Sequence, residues 1–375
     1  MRELSLFSGG GGGLLASKLL GWRTVGYVEV NTYCQQVIEQ RIADGLLSDA
    51  PVFHCDIREW ISGGYASSYR ELVDVVSGGF PCQPFSVAGK QAAADDHRNM
   101  WPETIEVIRQ VRPRYAFLEN VPGLLVASHG YFGTVLGDLA EAGYDVRWTV
   151  LSAADCGAYH LRKRLWIVAA NRKLVQRGWQ KETPLHINKT ISEQPVAFPT
   201  PIDATKGGGS SRSGERHNEI PSLQGMARKG LWPTPRSEDS QCAGGHRGTD
   251  DTLYGAICKP KDGSVDHPGQ LNPTWVEWLM GWPRNWTSTA PIKDLVWDAE
   301  WQSNGEALPK TTDSVEHRSD RLRLLGNGQV PLCAATAWKM LAENAPVSLY
   351  TTTKTKVTAA PKTKGLWGRK RSKCK

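Results

Sequence analysis

The stretch LSLFSGGGGG at residues 4–13 joins a strand-like apolar run to a helix-like one. Glycines between a strand and a helix allow a tight turn and let the backbone approach a ligand at the helix N-terminus. Many nucleotide-binding sheets share such a loop, and a merely flexible loop would carry the same glycines. The stretch predicts the beginning of an α/β sheet, and later residues must decide what it binds.

Strand-like and helix-like runs alternate through the first 170 residues. Strands are predicted at 3–7, 24–28, 52–55, 72–77, 115–118, 145–151 and 164–169, and helices at 14–20, 32–41, 102–111 and 131–142. Alternation with short connections predicts an α/β fold with a doubly wound, mostly parallel, Rossmann-like sheet.

Acidic residues follow the second and third predicted strands. Glu29 comes about twenty residues after the glycine loop, where a carboxylate can accept hydrogen bonds from a ribose. Asp56 follows Cys55, and its carboxylate can accept from an adenine amino group. These strand ends predict an adenosine-containing cofactor, but by themselves they do not separate a dinucleotide from S-adenosyl-L-methionine.

Three later segments carry reactive or charged side chains. Cys82 lies in the loop GGFPCQPFS at 78–86, whose prolines restrict the backbone around the thiol, as suits a nucleophile; an inert buried cysteine is the alternative. Glu119 and Asn120 end the next strand, where a carboxyl group can act as a general acid or the pair can simply cap a turn. Arg162 and Arg164 alternate, which predicts one shared strand face that is either solvated or bound to phosphate or carbonyl oxygens.

The order of these motifs resembles that of the DNA (cytosine-5) methyltransferase family of bacterial and phage type. The motifs follow one another in the same order as in that family: the glycine loop, Glu29, Asp56, Pro-Cys-Gln, Glu-Asn-Val and Arg-x-Arg. Leu271–Pro283 resembles the segment that closes its target-recognition region, and Leu325–Pro331 resembles its final Gly-Asn motif. The resemblance covers roughly residues 3–170 and 270–342, and it implies the fold of S-adenosylmethionine-dependent methyltransferases.

The resemblance also implies a reaction and a site. A methyl group would pass from S-adenosyl-L-methionine to carbon 5 of a cytosine flipped out of double-stranded DNA, while Cys82 forms a covalent adduct at carbon 6. Glu119 would hydrogen-bond to ring N3 and the amino group, and Arg164 would contact the base carbonyl. Arg162 would support the site and Asn120 would fix the loop. The residues implied to surround the cofactor are Phe7, Ser8, Gly9, Gly11, Gly12, Glu29, Val30, Asp56, Ile57, Pro81 and Asn327.

Several positions depart from the family pattern. His160 stands where a Gln usually precedes Arg-x-Arg, and Ser5 replaces a common acidic residue. Gly328 and Gln329 stand where a Ser or Ala and a Val are commoner. A neutral imidazole at His160 can replace an amide hydrogen bond, but it would titrate.

The chain divides by composition into four parts. We expect a catalytic and cofactor-binding domain at 1–170, a smaller, irregular target-recognition domain at 171–270, a return segment at 271–349, and a basic disordered tail at 350–375. Phe198–Pro201 and Trp232–Pro235 form a weak repeat, which is either two similar turns or a duplicated recognition hairpin; we regard both copies as candidates to face DNA. Residues 271–286 predict a core helix that Pro283 ends, and residues 323–342 a loop and then a helix.

Composition limits the remaining possibilities. The net charge is +7, but the last 25 residues hold nine Lys or Arg and no acidic residue, so the tail carries the whole excess. This tail is either inert or a non-specific tether to DNA phosphates.

The eight cysteines form no C-x-x-C pair, which argues against a zinc ribbon and for a reducing compartment. We expect a cytoplasmic, nucleoid-associated monomer with no membrane segment and no metal, and any cognate restriction endonuclease would act separately.

Two other classes of protein share part of the pattern. A non-catalytic DNA-binding protein on the same fold would not need Cys82, Glu119 and Arg164 together. A dinucleotide-dependent oxidoreductase would explain the glycine loop but neither Pro-Cys-Gln nor Glu-Asn-Val. Methyl transfer to DNA separates the three classes.

Overall fold

The computed structural model describes residues 1–81, 99–127, 130–175, 231–240, 252–258, 269–301 and 308–343. Cys82, the Phe198–Pro201 copy of the repeat and the basic tail lie outside the described residues. Among the residues described, no helix is long and apolar enough to cross a membrane.

A seven-stranded mixed sheet forms the centre of the fold. Its strands are β1 (Arg2–Leu6), β2 (Arg23–Val28), β3 (Val52–Phe53), β4 (Val75–Gly79), β5 (Tyr115–Asn120), β6 (Tyr144–Leu151) and β7 (Arg164–Asn171). The spatial order is β3-β2-β1-β4-β5-β7-β6. The first five strands pair in parallel, and β7, inserted between β5 and β6, runs antiparallel to both of them. The predicted mostly parallel α/β sheet is confirmed.

Helices cover both faces of this sheet. They are α1 (Gly12–Leu19), α2 (Thr32–Ala43), α3 (Ile57–Ser62), α4 (Tyr65–Ser68), α5 (Trp101–Val111), α6 (Tyr131–Glu141), α7 (Leu253–Cys258), α8 (Pro273–Leu279), α9 (Arg318–Asn327) and α10 (Pro331–Ala342). A short antiparallel pair, β8 (Gln270–Leu271) and β9 (Thr311–Thr312), lies apart from the main sheet. Strand–helix order through α6 follows the sequence prediction except between β3 and β4, where α3 and α4 were not predicted.

Alternating side chains divide the apolar core into two clusters, one on each face. On β5, Phe117 belongs to the cluster that includes residues of α1, α2 and α10, whereas Leu118 belongs to the cluster that includes residues of α3, α5 and α6. On β7, Trp166 and Ile167 separate in the same way, because successive side chains of a strand point to opposite faces. On β1 the face toward α1 carries polar Glu3, whose carboxylate accepts from the Ser17 hydroxyl at 2.7 Å. Burial raises the pKa of Glu3.

The return segment joins the same core. Trp275, Trp278 and Trp282 are all buried, as the helical spacing predicts, although α8 ends at Leu279, before Pro283. The prediction for residues 323–342 is partly wrong, because α9 already spans Arg318–Asn327 and the chain is irregular only around Gly328.

Strand boundaries shift by up to three residues, and Phe7 lies beyond β1 because its φ of 49° breaks the extended backbone.

A buried ion pair fixes α8 against α9. The carboxylate of Glu277 accepts from Nη2 of Arg321 at 3.0 Å, and both side chains are almost fully buried. The same carboxylate accepts from the backbone N–H groups of Asn285 at 2.6 Å and Thr287 at 2.8 Å. Every oxygen of this buried charge is therefore paired, which is the condition under which a buried ion pair is tolerated.

Replacing Glu277 by Gln should destabilise the protein by about 3–5 kcal/mol, because Arg321 then keeps a buried charge without its partner. Urea denaturation measures this loss as a lower midpoint. The matched control is Glu141→Gln, which breaks an exposed pair with Arg109 and should leave the midpoint nearly unchanged. Equal midpoints for the two variants would contradict a stabilising role for the buried pair.

Candidate functional site

The carboxyl ends of the parallel strands open into one cavity of about 520 Å³. Ligand pockets usually measure about 300–1,000 Å³, so this volume suits a cofactor or a base. Thirteen of the predicted site residues line it: Phe7, Ser8, Gly9, Gly12, Glu29, Val30, Asp56, Ile57, Pro81, Glu119, Asn120, Arg164 and Asn327. Two predicted residues that the structure describes, Gly11 and Arg162, are not among the lining residues.

Left-handed backbone at two glycines and hydrogen bonds to one carboxylate fix the conformation of the glycine loop after β1. Gly9 has φ 55° and Gly11 has φ 99°, conformations that favour glycine. The carboxylate of Glu29 accepts from the Gly9 N–H at 2.6 Å and from the Asn31 N–H at 2.7 Å. Burial raises the pKa of Glu29, and these two N–H donors oppose that rise.

Gly11 contributes to packing and does not line the cavity. A Cβ atom on Gly11 would lie 3.2 Å from Nε1 of Trp286. That indole N–H donates to the Gly10 carbonyl at 2.8 Å. The implied role of Gly11 beside the cofactor is therefore not supported, since its open side faces the return segment.

The far end of the cavity is formed by the residues after β2 and β3. Asp56 is the N-cap of α3, and one of its carboxylate oxygens accepts from the Arg58 N–H at 2.8 Å. Ile57 is buried behind it, whereas Val30 is 64% exposed at the rim. An acid and two apolar side chains thus surround the space beside Glu29.

At the other end, Glu119 lies beside Arg164. Nε of Arg164 and Oε1 of Glu119 form an ion pair at 2.8 Å, and both side chains are largely buried. Asn120 donates from Nδ2 to the Phe80 carbonyl at 3.1 Å and accepts from the Val121 N–H at 2.8 Å. Asn120 thereby fixes the backbone at Phe80 and Pro81, immediately before Cys82 in the chain.

Arg162 and Arg164 do not share a strand face, so that prediction is wrong. Arg162 has φ 23° and precedes β7, which begins only at Arg164. Its guanidinium is buried and donates to the carbonyls of Pro235 at 2.9 Å, Gly326 at 2.9 Å and Gly328 at 2.6 Å. Arg162 therefore binds the backbone of neighbouring loops and is not a lining residue of the cavity.

The second copy of the repeat packs against the same region. Thr234 Oγ1 accepts from the Arg162 N–H at 3.0 Å, and the ring of Trp232 lies edge-on to Trp275 with centroids 5.5 Å apart. A Cβ on Gly326 would meet the Arg236 backbone at 2.1 Å. This turn packs against the residues around Arg162 and Gly326, and its role in facing DNA stays a prediction.

His160 is fully buried beside this turn. Desolvation lowers the pKa of its imidazole to about 3, and the nearby Arg162 charge acts in the same direction. The Leu279 backbone lies against the ring, but neither ring nitrogen makes a hydrogen bond of ordinary geometry within the described residues. The expectation that His160 titrates near neutral pH is therefore wrong.

Among the lining residues that sequence reasoning missed are the polar residues Asp320, Arg323 and Gln329. Asp320 and Arg323 form an ion pair of 3.2 Å on the face of α9 that also carries Asn327. Their spacing from Asn327, at seven and four residues, was the available signal, because such residues share a helix face. Gln329 was noted only as a departure from the family pattern.

Replacing His160 by Gln should remove a pH-dependent loss of stability. The unfolded ring gains a proton below its ordinary pKa of about 6.5, while the folded ring stays neutral down to about 3. Wild type therefore loses stability as the pH falls below about 6.5. Relative to His160→Gln, its free energy of unfolding should drop by about 2 kcal/mol between about pH 7.5 and about pH 5. Urea denaturation at both pH values measures this, and a constant difference would contradict it.

Comparison with known proteins gives related methyltransferases. The chain is 34% identical over 193 residues to the Type II methyltransferase M.NgoMIV of Neisseria gonorrhoeae, covering 51% of this chain and 58% of that protein. It is 42% identical over 102 residues to the Type II methyltransferase M.NaeI of Lentzea aerocolonigenes, covering 27% of this chain and 25% of that protein. The chain thus spans between a quarter and about 58% of the length of these two relatives.

The fold is likewise shared with a solved structure. The S. pombe Dnmt2 methyltransferase matches with a TM-score of 0.54 at 16% identity, covering 92% of this chain and 99% of that one. A model of the family described as C-5 cytosine-specific DNA methylase matches residues 1–247, which is most of the chain. On this match, and on the order of motifs around the cavity, the chain belongs to the C-5 cytosine-specific DNA methylase family.

Proposed function

We propose that the protein transfers a methyl group from S-adenosyl-L-methionine to carbon 5 of a cytosine in double-stranded DNA. The observation that carries this proposal is the continuity of one cavity, from Glu29 and Asp56 at one end to the Glu119–Arg164 pair at the other. A cofactor and a base can therefore meet in it. Action as a monomer, with any cognate restriction endonuclease working separately, is part of the proposal.

The lining residues fit S-adenosyl-L-methionine. Each oxygen of the Glu29 carboxylate accepts one backbone N–H and keeps acceptor capacity for a ribose hydroxyl. The Asp56 carboxylate can accept a hydrogen bond from the edge of an adenine, and the buried Ile57 side chain can pack on its face. The glycine loop lets a ligand approach the backbone at Gly9. When bound, this group supplies an electrophilic methyl group.

Cys82 is the proposed nucleophile. Carbon 5 of cytosine attacks a methyl group only after a thiolate has added to carbon 6, and the adduct ends when the carbon 5 proton leaves and the carbon–sulfur bond breaks. Of the cysteines that the structure describes, Cys34 and Cys55 line the cavity, both beside the Glu29–Asp56 end. Burial and the Glu29 charge raise the pKa of Cys34, which makes its thiol a poor nucleophile.

Glu119 and Arg164 would receive the base. A carboxyl group can hydrogen-bond to N3 and the amino group of cytosine and share a proton as charge develops there. Arg164 holds Glu119 in place and adds positive charge near the base carbonyl. Because a base inside a duplex cannot enter such a cavity, the cytosine must be flipped out of the helix.

Cys82→Ser should abolish methyl transfer, because a hydroxyl is far less ionised and less polarisable than a thiol. Transfer of labelled methyl from S-adenosyl-L-methionine to DNA measures this, with Cys258→Ser as the matched control of full activity. DNA with 5-fluorocytosine should trap wild type covalently. Substantial turnover by Cys82→Ser would overturn the mechanism, and DNA binding without any methyl transfer by wild type would favour a non-catalytic DNA-binding protein.

Glu119→Gln keeps the shape of the side chain but removes its ionisable proton. We expect the rate of methyl transfer to fall by about 10²-fold, the usual contribution of a general acid. Glu141→Gln, on the exposed end of α6, is the control and should keep the wild-type rate. Equal rates for Glu119→Gln and wild type from about pH 6 to about pH 8 would mean that Glu119 serves only the structure.

A further inference from the structure

Gln329 lies between α9 and α10 and lines the cavity. Its carbonyl accepts from the indole Nε1 of Trp282 at 2.8 Å. A Cβ atom on Gly12 would lie within 2.6 Å of that carbonyl oxygen, so the Gln329 backbone packs directly on the start of α1. The side chain of Gln329 therefore starts from a fixed backbone.

The amide of this side chain reaches two places that lack side chains. Oε1 lies 3.0 Å from the point where Gly13 would carry a Cβ, and Nε2 lies 3.2 Å from the corresponding point of Gly79. Gly13 is in α1 and Gly79 ends β4, so the amide spans the gap between the glycine-loop helix and the sheet. A side chain at either glycine would displace it.

Glu119 reaches the same point from the other side. Gly79 pairs in register with Glu119, and a Cβ on Gly79 would lie 2.7 Å from Oε2 of Glu119. The other carboxylate oxygen, Oε1, already forms an ion pair with Nε of Arg164 at 2.8 Å. The absent side chain of Gly79 thus leaves one space into which both the Gln329 amide donor and the second oxygen of Glu119 project.

We propose that Gln329 is a positioning residue that orients the Glu119 carboxyl group for the base, acting at Oε2 while Arg164 acts at Oε1. This inference rests on the proposed methyl transfer and extends it. Valine is the commoner residue at this position, and its side chain has no hydrogen-bond donor. The amide of Gln329 has an N–H donor. The departure from the family pattern therefore gives this chain a second group that can fix Glu119. A hydrogen bond to a charged group contributes enough to change a rate about ten-fold.

The main test uses Gln329→Met, which keeps the length of the side chain but removes its amide. We expect the rate of a single turnover of methyl transfer to fall about ten-fold, while the Kd for S-adenosyl-L-methionine, measured by calorimetry, stays within about two-fold. The control is Gln110→Met, which removes the amide that donates to Glu106 at 2.8 Å on α5, away from the cavity, and should keep the wild-type rate.

A double-mutant cycle separates positioning from a general structural effect. In the Glu119→Gln background the loss caused by Gln329→Met should shrink to about two-fold or less, because the carboxylate that it orients is gone. Gly79→Ala is the second variant, since its Cβ would enter the shared space, and it should lower the same rate. Both variants should keep the wild-type midpoint of urea denaturation.

Three outcomes would overturn the role of Gln329 while methyl transfer by wild type stands. These are an unchanged rate for Gln329→Met, an equal loss in both Glu119 backgrounds, or a raised Kd for S-adenosyl-L-methionine with an unchanged rate, which would make Gln329 a cofactor contact. If wild type transfers no methyl group to any DNA, the proposed function fails and the role of Gln329 fails with it.

Discussion

Two tryptophan N–H groups close the site by joining parts of the chain that are far apart in sequence. The indole of Trp286 donates to the Gly10 carbonyl at 2.8 Å, and the indole of Trp282 donates to the Gln329 carbonyl at 2.8 Å. Both indoles are buried, so leaving either N–H unpaired would cost free energy. The glycine loop, the return segment and the Gly-Asn turn consequently form one wall of the cavity.

Buried arginines reinforce the same assembly. Arg41 of α2 donates to the carbonyls of Asn285, Ser288 and Ala290, and Arg162 donates to those of Pro235, Gly326 and Gly328. A guanidinium has five N–H donors in a fixed plane, so one side chain can satisfy several carbonyls of irregular backbone at once. The loops around the cavity are therefore held in place by side chains from the sheet and helices, although the loops themselves have little regular structure.

The two ends of the cavity differ in charge. Glu29 and Asp56 make the first end acidic, which suits hydroxyl and amino donors. At the other end the charges of Arg164 and Glu119 are paired with each other, which places a donor and an acceptor side by side for a base. The division follows from strand order, because β2 and β3 lie on one side of β1 while β4, β5 and β7 lie on the other. A donor group and an acceptor base can thus enter one cavity from separate sides.

The sequence by itself determined the sheet class and the strand-end motifs, because such motifs need only local order to be recognised. Thirteen of the predicted residues meet at one cavity, since parallel strands bring their carboxyl ends to one edge of a sheet. The tertiary structure alone decided the rest. Arg162 leaves the strand face through a positive φ, His160 becomes neutral through burial, and Gly11 faces Trp286. It also placed the side chains of Gln329 and Glu119, which are 210 residues apart in the chain, beside the point where Gly79 lacks a side chain. Each of these depends on contacts between distant segments, which no local pattern encodes.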